Sequence, residues 1–189
     1  MTSSKSDNLD KLGTMVREFH SKFGFPVDRD LHLQGVGVKV VTSSGDKVNI
    51  SSILMNTSSI LAKASEGLLT LAIPMQAEKD ERAYRAHLML EELSEVLMAL
   101  AERDEVSLAD GLTDLSYVVQ GTLISYGLPG QALFEEVHSS NMTKSRNPGD
   151  PRMKEKDMEQ GYRSPDIKTV LLNNESMLVG EIREVGEDA

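Results

Sequence analysis

Two segments with the apolar spacing of α-helices follow one another with only a short polar turn between them. The segments are residues 78–102 and 107–126, and residues 103–106 form the turn. The apolar residues of the first segment recur at helical steps and form one stripe: Met89, Leu93, Val96, Leu97 and Leu100. A turn of this length makes two helices antiparallel neighbours. The sequence therefore predicts a helical hairpin, and with it a fold built from helices packed on helices.

Weaker patterns on both sides of the hairpin predict three more helices and one small pair of strands. The helices are expected over residues 7–23, 51–73 and 130–142. Pro74 is expected to end the second of them, because proline lacks the N–H group of the helical ladder. Valines alternate with other residues over positions 36–50, around a Ser-Ser-Gly-Asp turn, which predicts a β-hairpin.

Composition narrows the class of protein. The chain has 189 residues, enough for one domain with a sizeable core, and it has no cysteine. Disulfides, cysteine-ligated zinc and a thiol nucleophile are therefore excluded. The net charge of −10 argues against general nucleic-acid binding, which depends on neutralising phosphates. Because the sequence shows neither a secretory signal nor an apolar run as long as a membrane span, we expect a cytoplasmic protein that binds no membrane.

Two groups of carboxylates lie on the two helices of the predicted hairpin. Glu91, Glu92 and Glu95 are within one helical turn of each other, and Asp110 and Asp114 are one turn apart on the second helix. Like charges at this spacing destabilise a helix by about 0.2–0.5 kcal/mol per pair. A bound divalent cation would offset that cost. The alternative for any one pair is a solvated acidic surface, as most charge runs are.

The expected register of the hairpin brings the two groups to the same height. Glu95 is expected level with Asp110. Glu91 or Glu92 is expected level with Asp114. Such a cage of four or five carboxylates offers only oxygen ligands, which select Mg²⁺, Ca²⁺ or Mn²⁺ over zinc or copper. For two pairs at matching heights we favour the metal site over the solvated surface.

Several sequence motifs include or flank these carboxylates. The chain reads EELSE at residues 91–95, DGLTDLSYVVQGTLISYGLP at 110–129, FEEVHSSNMTK at 134–144, GYRSPD at 161–166 and MVREFHSKFGFP at 15–26. Together they resemble the MazG-like, all-α nucleoside triphosphate pyrophosphohydrolases, a superfamily that includes the phosphoribosyl-ATP pyrophosphohydrolases. The likeness is strongest over residues 82–144.

The resemblance implies a fold, an activity and an assembly. The fold is an all-α helical bundle in a single domain, residues 1–189, with residues 145–189 as a C-terminal loop and tail. Residues 27–78 are not explained by the resemblance, and we treat them as an insertion. The activity is hydrolysis of a nucleoside or deoxynucleoside triphosphate at its α–β phosphoanhydride bond, giving the monophosphate and pyrophosphate. The cofactor is Mg²⁺, with Mn²⁺ as an alternative cation. The assembly is a homodimer or a dimer of dimers.

The resemblance also implies roles for the carboxylates. The implied metal ligands are Glu91, Glu92, Glu95, Asp110 and Asp114, and the three glutamates are the implied catalytic residues. Glu91 is either a ligand or the base that activates water. Many relatives have Glu-x-x-Asp in the second motif, which would put a glutamate at position 111, where this chain has Gly111. Asp110 is then expected to serve from the neighbouring position.

Further residues are candidates for substrate binding: His20, Arg85, His138, Asn141, Lys144 and Arg163. Asn141 and Lys144 match substrate-contacting positions of the superfamily. His138 is equally well explained as a structural histidine, and Arg163 as a solvated side chain. The segment 145–166 lacks an apolar period, and we expect it to become ordered over a bound polyphosphate.

Other functions stay open. Within the superfamily, the alternatives are a phosphoribosyl-ATP pyrophosphohydrolase and an enzyme selective for dUTP or dCTP. The alternative from another class is a helical interaction module whose acidic cage binds a cation structurally.

Overall fold

Helices dominate the part of the chain that the structure describes, which is residues 11–25, 27, 39–41, 45, 47–77, 80–146, 154–159 and 161–174. In this computed structural model the elements follow in the order α1 (Lys11–Phe23), β1 (Lys39–Val41), β2 (Lys47–Asn49), α2 (Ile50–Ala77), α3 (Arg82–Glu102), α4 (Glu105–Ser125), α5 (Gly130–Met142), β3 (Ser145–Arg146) and β4 (Lys154–Glu155). A further helical segment covers residues 167–174. The predicted all-α fold with a small β-hairpin is confirmed. Among the described residues, no helix combines the length and apolar character needed to cross a membrane.

The contacts divide the chain into two units. The larger unit is the continuous segment Asp30–Tyr126, and it contains β1, β2, α2, α3 and α4. The smaller unit combines Met1–Arg29 with Gly127–Ala189, and it contains α1, α5, β3 and β4. All the predicted metal ligands belong to the larger unit. The predicted substrate residues belong to the smaller unit, with the exception of Arg85.

In the larger unit, α2 packs antiparallel along α3. Ser58 Oγ donates to the carbonyl oxygen of Ser94 at 2.7 Å, and Ser65 Oγ lies 2.6 Å from Nδ1 of His87. The two contacts are seven residues apart on each helix and run in opposite directions. Both serines are buried. Small hydroxyl side chains at these positions let the two helices approach closely while their oxygens find partners.

The ends of α2 and α3 differ from the sequence expectation. The prediction that Pro74 ends the helix was wrong, since α2 continues to Ala77. A proline this close to the end removes only one hydrogen bond of the helical ladder, and Ala72 is buried just before it. The predicted start of the next helix at residue 78 was also wrong. Helix α3 begins at Arg82, whose N–H donates to Asp80 Oδ1 at 3.0 Å.

A tight turn joins α3 to α4 and confirms the predicted helical hairpin. Arg103 adopts the left-handed conformation, with φ 62°, and the Asp104 N–H donates to the carbonyl oxygen of Ala99 at 3.0 Å. Asp104 Oδ1 accepts from the backbone N–H groups of Val106 and Ser107. The cap of α4 is therefore Asp104, and the helix begins at Glu105, two residues before the predicted start at 107. A carboxylate is a strong acceptor for the unpaired N–H groups of a first turn.

The hairpin closes around a glycine. A Cβ atom on Gly111 of α4 would lie 3.1 Å from Val96 Cγ2 and 3.4 Å from the Val96 backbone nitrogen. Val96 is buried with Ala99 and Leu108 in the core of the hairpin. Val96 directly follows Glu95 on α3, and Gly111 directly follows Asp110 on α4. The contact therefore lies next to Glu95 and Asp110, the two residues that the sequence predicts at the same height.

In the smaller unit, α1 lies against α5. His138 Nε2 on α5 is 3.3 Å from Glu18 Oε2 on α1, and Phe23 at the end of α1 is buried. Gly24 has φ +73°, a conformation that glycine adopts without strain, and it ends the helix. The predicted helix over residues 7–23 is confirmed from Lys11 onward, and its first four residues lie outside the described part of the chain.

The chain after α5 is attached to that helix. Ser140 Oγ donates to the carbonyl oxygen of Arg163 at 2.7 Å, and the Arg163 N–H donates to Thr143 Oγ1 at 2.9 Å. Tyr162 is buried beside these bonds. Strands β3 and β4 pair antiparallel over two residues each. The segment 145–166, expected to lack structure without a ligand, therefore contains a short ladder and fixed contacts to α5.

Candidate functional site

The facing turns of α3 and α4 carry all the predicted metal ligands. Glu91, Glu92 and Glu95 lie on α3, and Asp110 and Asp114 lie on α4. The close approach of the two helices at position 111 brings the two groups of carboxylates near each other. Only Glu92 is partly buried, and the other four side chains are exposed.

The pKa of Glu92 is sensitive to the neighbouring carboxylates. Burial is the largest cause that raises the pKa of Glu92, and the charges of Glu95, Asp114, Glu91 and Asp110 raise it further, in that order. Each of these carboxylates thus disfavours the ionised form of Glu92. Glu92 is the electrostatic centre of the group, and a cation bound there would relieve the repulsion.

The chemistry of the group fits a hard divalent cation, because its side chains supply carboxylate oxygens and no nitrogen or sulfur. Over the described residues, no three acidic or histidine side chains converge closely enough to hold a metal ion. Four of the five carboxylates are exposed, so they can turn toward a shared cation. We therefore regard the hairpin as a candidate site that requires side-chain rearrangement before a cation binds.

The structure gives a physical reason for the glycine at position 111. A glutamate there would begin with a Cβ atom 3.1 Å from Val96 Cγ2, which is tighter than an ordinary contact, and 3.4 Å from the Val96 backbone nitrogen. The buried Val96 side chain would have to shift to admit it. In this chain Gly111 serves helix packing, and Asp110 lies on the exposed side of α4.

Arg85 approaches α4 from α3 but pairs with a different carboxylate. Its Nε and Nη2 both lie 3.0 Å from Glu81 Oε2, one turn earlier on the same helix. A Cβ atom on Gly121 would be 3.7 Å from Arg85 Nη1, which is an ordinary contact. The guanidinium is largely buried, whereas Glu81 is about half exposed. Contact with phosphate would therefore require Arg85 to exchange partners.

Three predicted substrate residues lie along α5 and the turn that follows it. Lys144 Nζ donates to Asn141 Oδ1 at 2.7 Å, so the two candidates contact each other. His138 and Asn141 line a small groove of about 120 Å³ together with four apolar side chains: Val16, Phe19, Phe134 and Val137. The ion contact of His138 with Glu18 is what a structural histidine would make.

The other two candidates of the smaller unit also have partners. The ring of His20 lies 5.4 Å from that of Phe25. Arg163 forms an ion pair with Glu136 on α5, and its Nη2 donates to Ser139 Oγ at 2.9 Å. The pKa of Glu136 is lowered, first by this arginine and then by the N–H of Asp166.

Two residues beside the carboxylates were not predicted. His87 Nε2 lies 3.6 Å from Glu91 Oε2, and the same imidazole contacts Ser65 on α2. The four-residue spacing between His87 and Glu91 could have indicated the first contact. Nothing in the sequence distinguishes Ser65 from the other serines of α2.

A family model matches a segment of the chain that contains the hairpin of α3 and α4. The family model described as phosphoribosyl-ATP pyrophosphohydrolase matches residues 72–141, which include α3, α4 and most of α5. Residues 72–141 are thus similar to a family of the MazG-like nucleoside triphosphate pyrophosphohydrolase superfamily, which confirms the resemblance over this segment. The family consists of hydrolases that act on pyrophosphate bonds of nucleotides. No curated protein and no solved structure matches the chain.

Proposed function

We propose that this protein is a Mg²⁺-dependent nucleoside triphosphate pyrophosphohydrolase that converts a nucleoside or deoxynucleoside triphosphate and water to the monophosphate and pyrophosphate. The observation that carries the proposal is the position of five carboxylates on the facing turns of α3 and α4, inside the segment that matches the family. The raised pKa of Glu92 supports it, because crowded carboxylates without a cation are unfavourable.

Within this proposal the carboxylates divide by their surroundings. Glu92 lies at the electrostatic centre, and with Glu95 and Asp114 it holds the cation, while Asp110 completes the group. Glu91 lies at the edge beside His87 and accepts a proton from the attacking water. A bound Mg²⁺ would supply Lewis-acid stabilisation and a template for the triphosphate.

The substrate contacts are proposed on chemical grounds. Lys144 offers a point charge to phosphate, and Asn141 orients it through their hydrogen bond. Arg163 and Arg85 are further phosphate contacts that must first leave their glutamate partners. His20 and His138 are the remaining candidates, and both lie near phenylalanine rings on which a planar base could stack.

A phosphoribosyl-ATP pyrophosphohydrolase is the second candidate, because the matching family carries that description. It uses the same carboxylates and differs only in the group attached to the polyphosphate. We also propose a cytoplasmic location and a homodimer or a dimer of dimers as the active form, in line with the superfamily.

Pyrophosphate release from a panel of nucleoside and deoxynucleoside triphosphates and phosphoribosyl-ATP tests these proposals. Turnover should require Mg²⁺ or Mn²⁺ and stop with a chelator. Glu95→Gln and Asp114→Asn should abolish it without unfolding the protein. Glu102→Gln removes the same charge from the end of α3, outside the carboxylate group, and should leave turnover unchanged. Near-normal turnover in both site variants would show that the site is assigned wrongly.

A further inference from the structure

A buried serine of α2 contacts the only histidine of α3. Ser65 Oγ lies 2.6 Å from His87 Nδ1, and it donates to the carbonyl oxygen of the same histidine at 3.0 Å. The two residues are 3% and 8% exposed. The contact therefore fixes both the position and the plane of the imidazole ring in the interface between the two helices.

The same contact favours one tautomer of the ring. A serine hydroxyl has one hydrogen, and both Nδ1 and the carbonyl oxygen of His87 lie within its reach. When the hydrogen is donated to the carbonyl oxygen, Ser65 Oγ accepts at Nδ1, so Nδ1 carries the hydrogen and Nε2 carries the lone pair. That lone pair lies 3.6 Å from Glu91 Oε2.

We propose that Ser65 and His87 are positioning residues for Glu91, an inference that rests on the proposed function. With no hydrogen on Nε2, the imidazole does not occupy the Glu91 carboxylate with a hydrogen bond. The lone pair also repels the carboxylate, which favours orientations of Glu91 away from the imidazole. Glu91 is thereby left as the group that accepts a proton from water, and Glu92 as a ligand. Most of α2, including Ser65, lies before the segment that matches the family.

Loss of Ser65 has a specific expected effect. In Ser65→Ala the Nδ1–H has no partner, and the ring can place its hydrogen on Nε2 instead. Nε2–H then donates to Glu91 and holds its carboxylate in a structural bond. We expect kcat to fall about 10- to 100-fold, the range for residues that orient a group of the site, while KM changes little.

Two further variants separate positioning from packing. His87→Asn keeps a donor at the Nδ1 position for Ser65 but places no lone pair beside Glu91. The repulsion is then lost without a competing bond, so kcat should fall, though less than in Ser65→Ala, while the melting temperature stays near that of the wild type. Ser58→Ala is the matched control, because Ser58 is equally buried on α2 and donates to the α3 backbone but contacts no imidazole. It should lower the melting temperature and leave kcat unchanged.

A spectroscopic measurement tests the inference without turnover. Nitrogen-15 spectra of the full-length protein should show the Nδ1–H tautomer for His87, assigned by its loss in His87→Asn, and Ser65→Ala should shift it toward Nε2–H. Mn²⁺ alone should broaden the His87 signal in the wild type and not in Asp114→Asn.

The outcomes distinguish the positioning role of Ser65 and His87 from the proposed hydrolase function. A wild type that releases no pyrophosphate, but shows the Nδ1–H tautomer and the Mn²⁺ effect, contradicts the proposed function and supports the positioning of Glu91 beside a cation. An active wild type with the Nε2–H tautomer overturns the positioning role. So does full kcat in His87→Asn, or a loss of kcat in Ser58→Ala as large as that in Ser65→Ala.

Discussion

Gly111 of α4 lies directly against Val96 of α3, close enough that a Cβ atom would lie 3.1 Å from Val96 Cγ2 and 3.4 Å from the Val96 backbone nitrogen. Because Val96 is buried in the hairpin core, its methyl group cannot give way as the end of an exposed flexible side chain can. The distance between the two carboxylate-bearing helices therefore depends on the absence of a side chain at this one position.

The first prediction concerns this contact. Gly111→Ala should destabilise the protein by about 1–3 kcal/mol, because overpacking of a close contact outweighs the gain in helix propensity. Gly67→Ala on α2 is the control, since no atom lies within 4 Å of its Cβ position. That variant should be stabilised by up to about 1 kcal/mol. Denaturant unfolding measures both, and equal effects of the two substitutions would contradict the proposed packing.

The second prediction concerns the charge of Glu92. Its pKa is raised in the folded protein, so the folded state binds the proton more tightly than the unfolded state. The stability linked to that proton is present below the ordinary carboxyl pKa and is lost as pH rises through the raised value. Glu92→Gln should therefore raise the melting temperature at neutral pH and change it little near pH ~3, below the ordinary carboxyl pKa. Unfolding curves across this pH range, with Glu102→Gln as control, measure the change in melting temperature. A lower melting temperature for Glu92→Gln than for the wild type at neutral pH would refute the prediction.

The third prediction concerns the chain after α5. Glu136 accepts from Arg163 and from the Asp166 N–H, and these bonds lower its pKa. The stability that these bonds give the folded state is present above the ordinary carboxyl pKa. It is lost as pH falls through the lowered pKa of Glu136. Glu136→Gln should therefore speed hydrogen exchange of the Asp166 amide at neutral pH. Glu135→Gln, which changes a neighbouring carboxylate bonded to Lys11 and Gln131, should not. Identical exchange in both variants would show that Glu136 does not hold this segment.

The fourth prediction concerns assembly. Helix α4 exposes large apolar side chains, among them Tyr117 and Ile124, each 79% exposed. Such residues on a helix commonly mark a contact surface, and we predict at least a homodimer that uses residues 112–126. Tyr117→Ser combined with Ile124→Ser should shift the protein toward monomer in light scattering at micromolar concentration. Val106→Ser removes an equally exposed side chain outside this range and should not change the oligomeric state. A monomeric wild type would refute the prediction.

Much of the larger unit could be predicted from the sequence because its contacts are local. The hairpin of α3 and α4 follows from helical spacing and a short turn, and that turn alone brings Glu92 and Asp114 together. The prediction failed where packing outweighed local preference. Pro74 lies inside α2 because one missing hydrogen bond costs less than the helix gains by packing on α3.

The contact between Ser65 and His87 could not be predicted, for a different reason. It depends on the register of α2 along α3, and a serine-rich helix offers several registers of similar pattern. In the smaller unit, the partners of Arg163 and His138 come from helices that are distant in sequence. Charge alone does not tell which glutamate an arginine or a histidine will meet.

The pairing of α1 with α5 has a consequence for the order in which the protein folds during synthesis. His138 meets Glu18, a partner 120 residues earlier in the chain, whereas α2, α3 and α4 each pack against a neighbour in sequence. Contacts between neighbours form soon after their residues leave the ribosome, and distant ones must wait. The side of α1 that packs on α5 therefore stays uncovered while the whole larger unit is made, and it finds its partner only after α5 has left the ribosome.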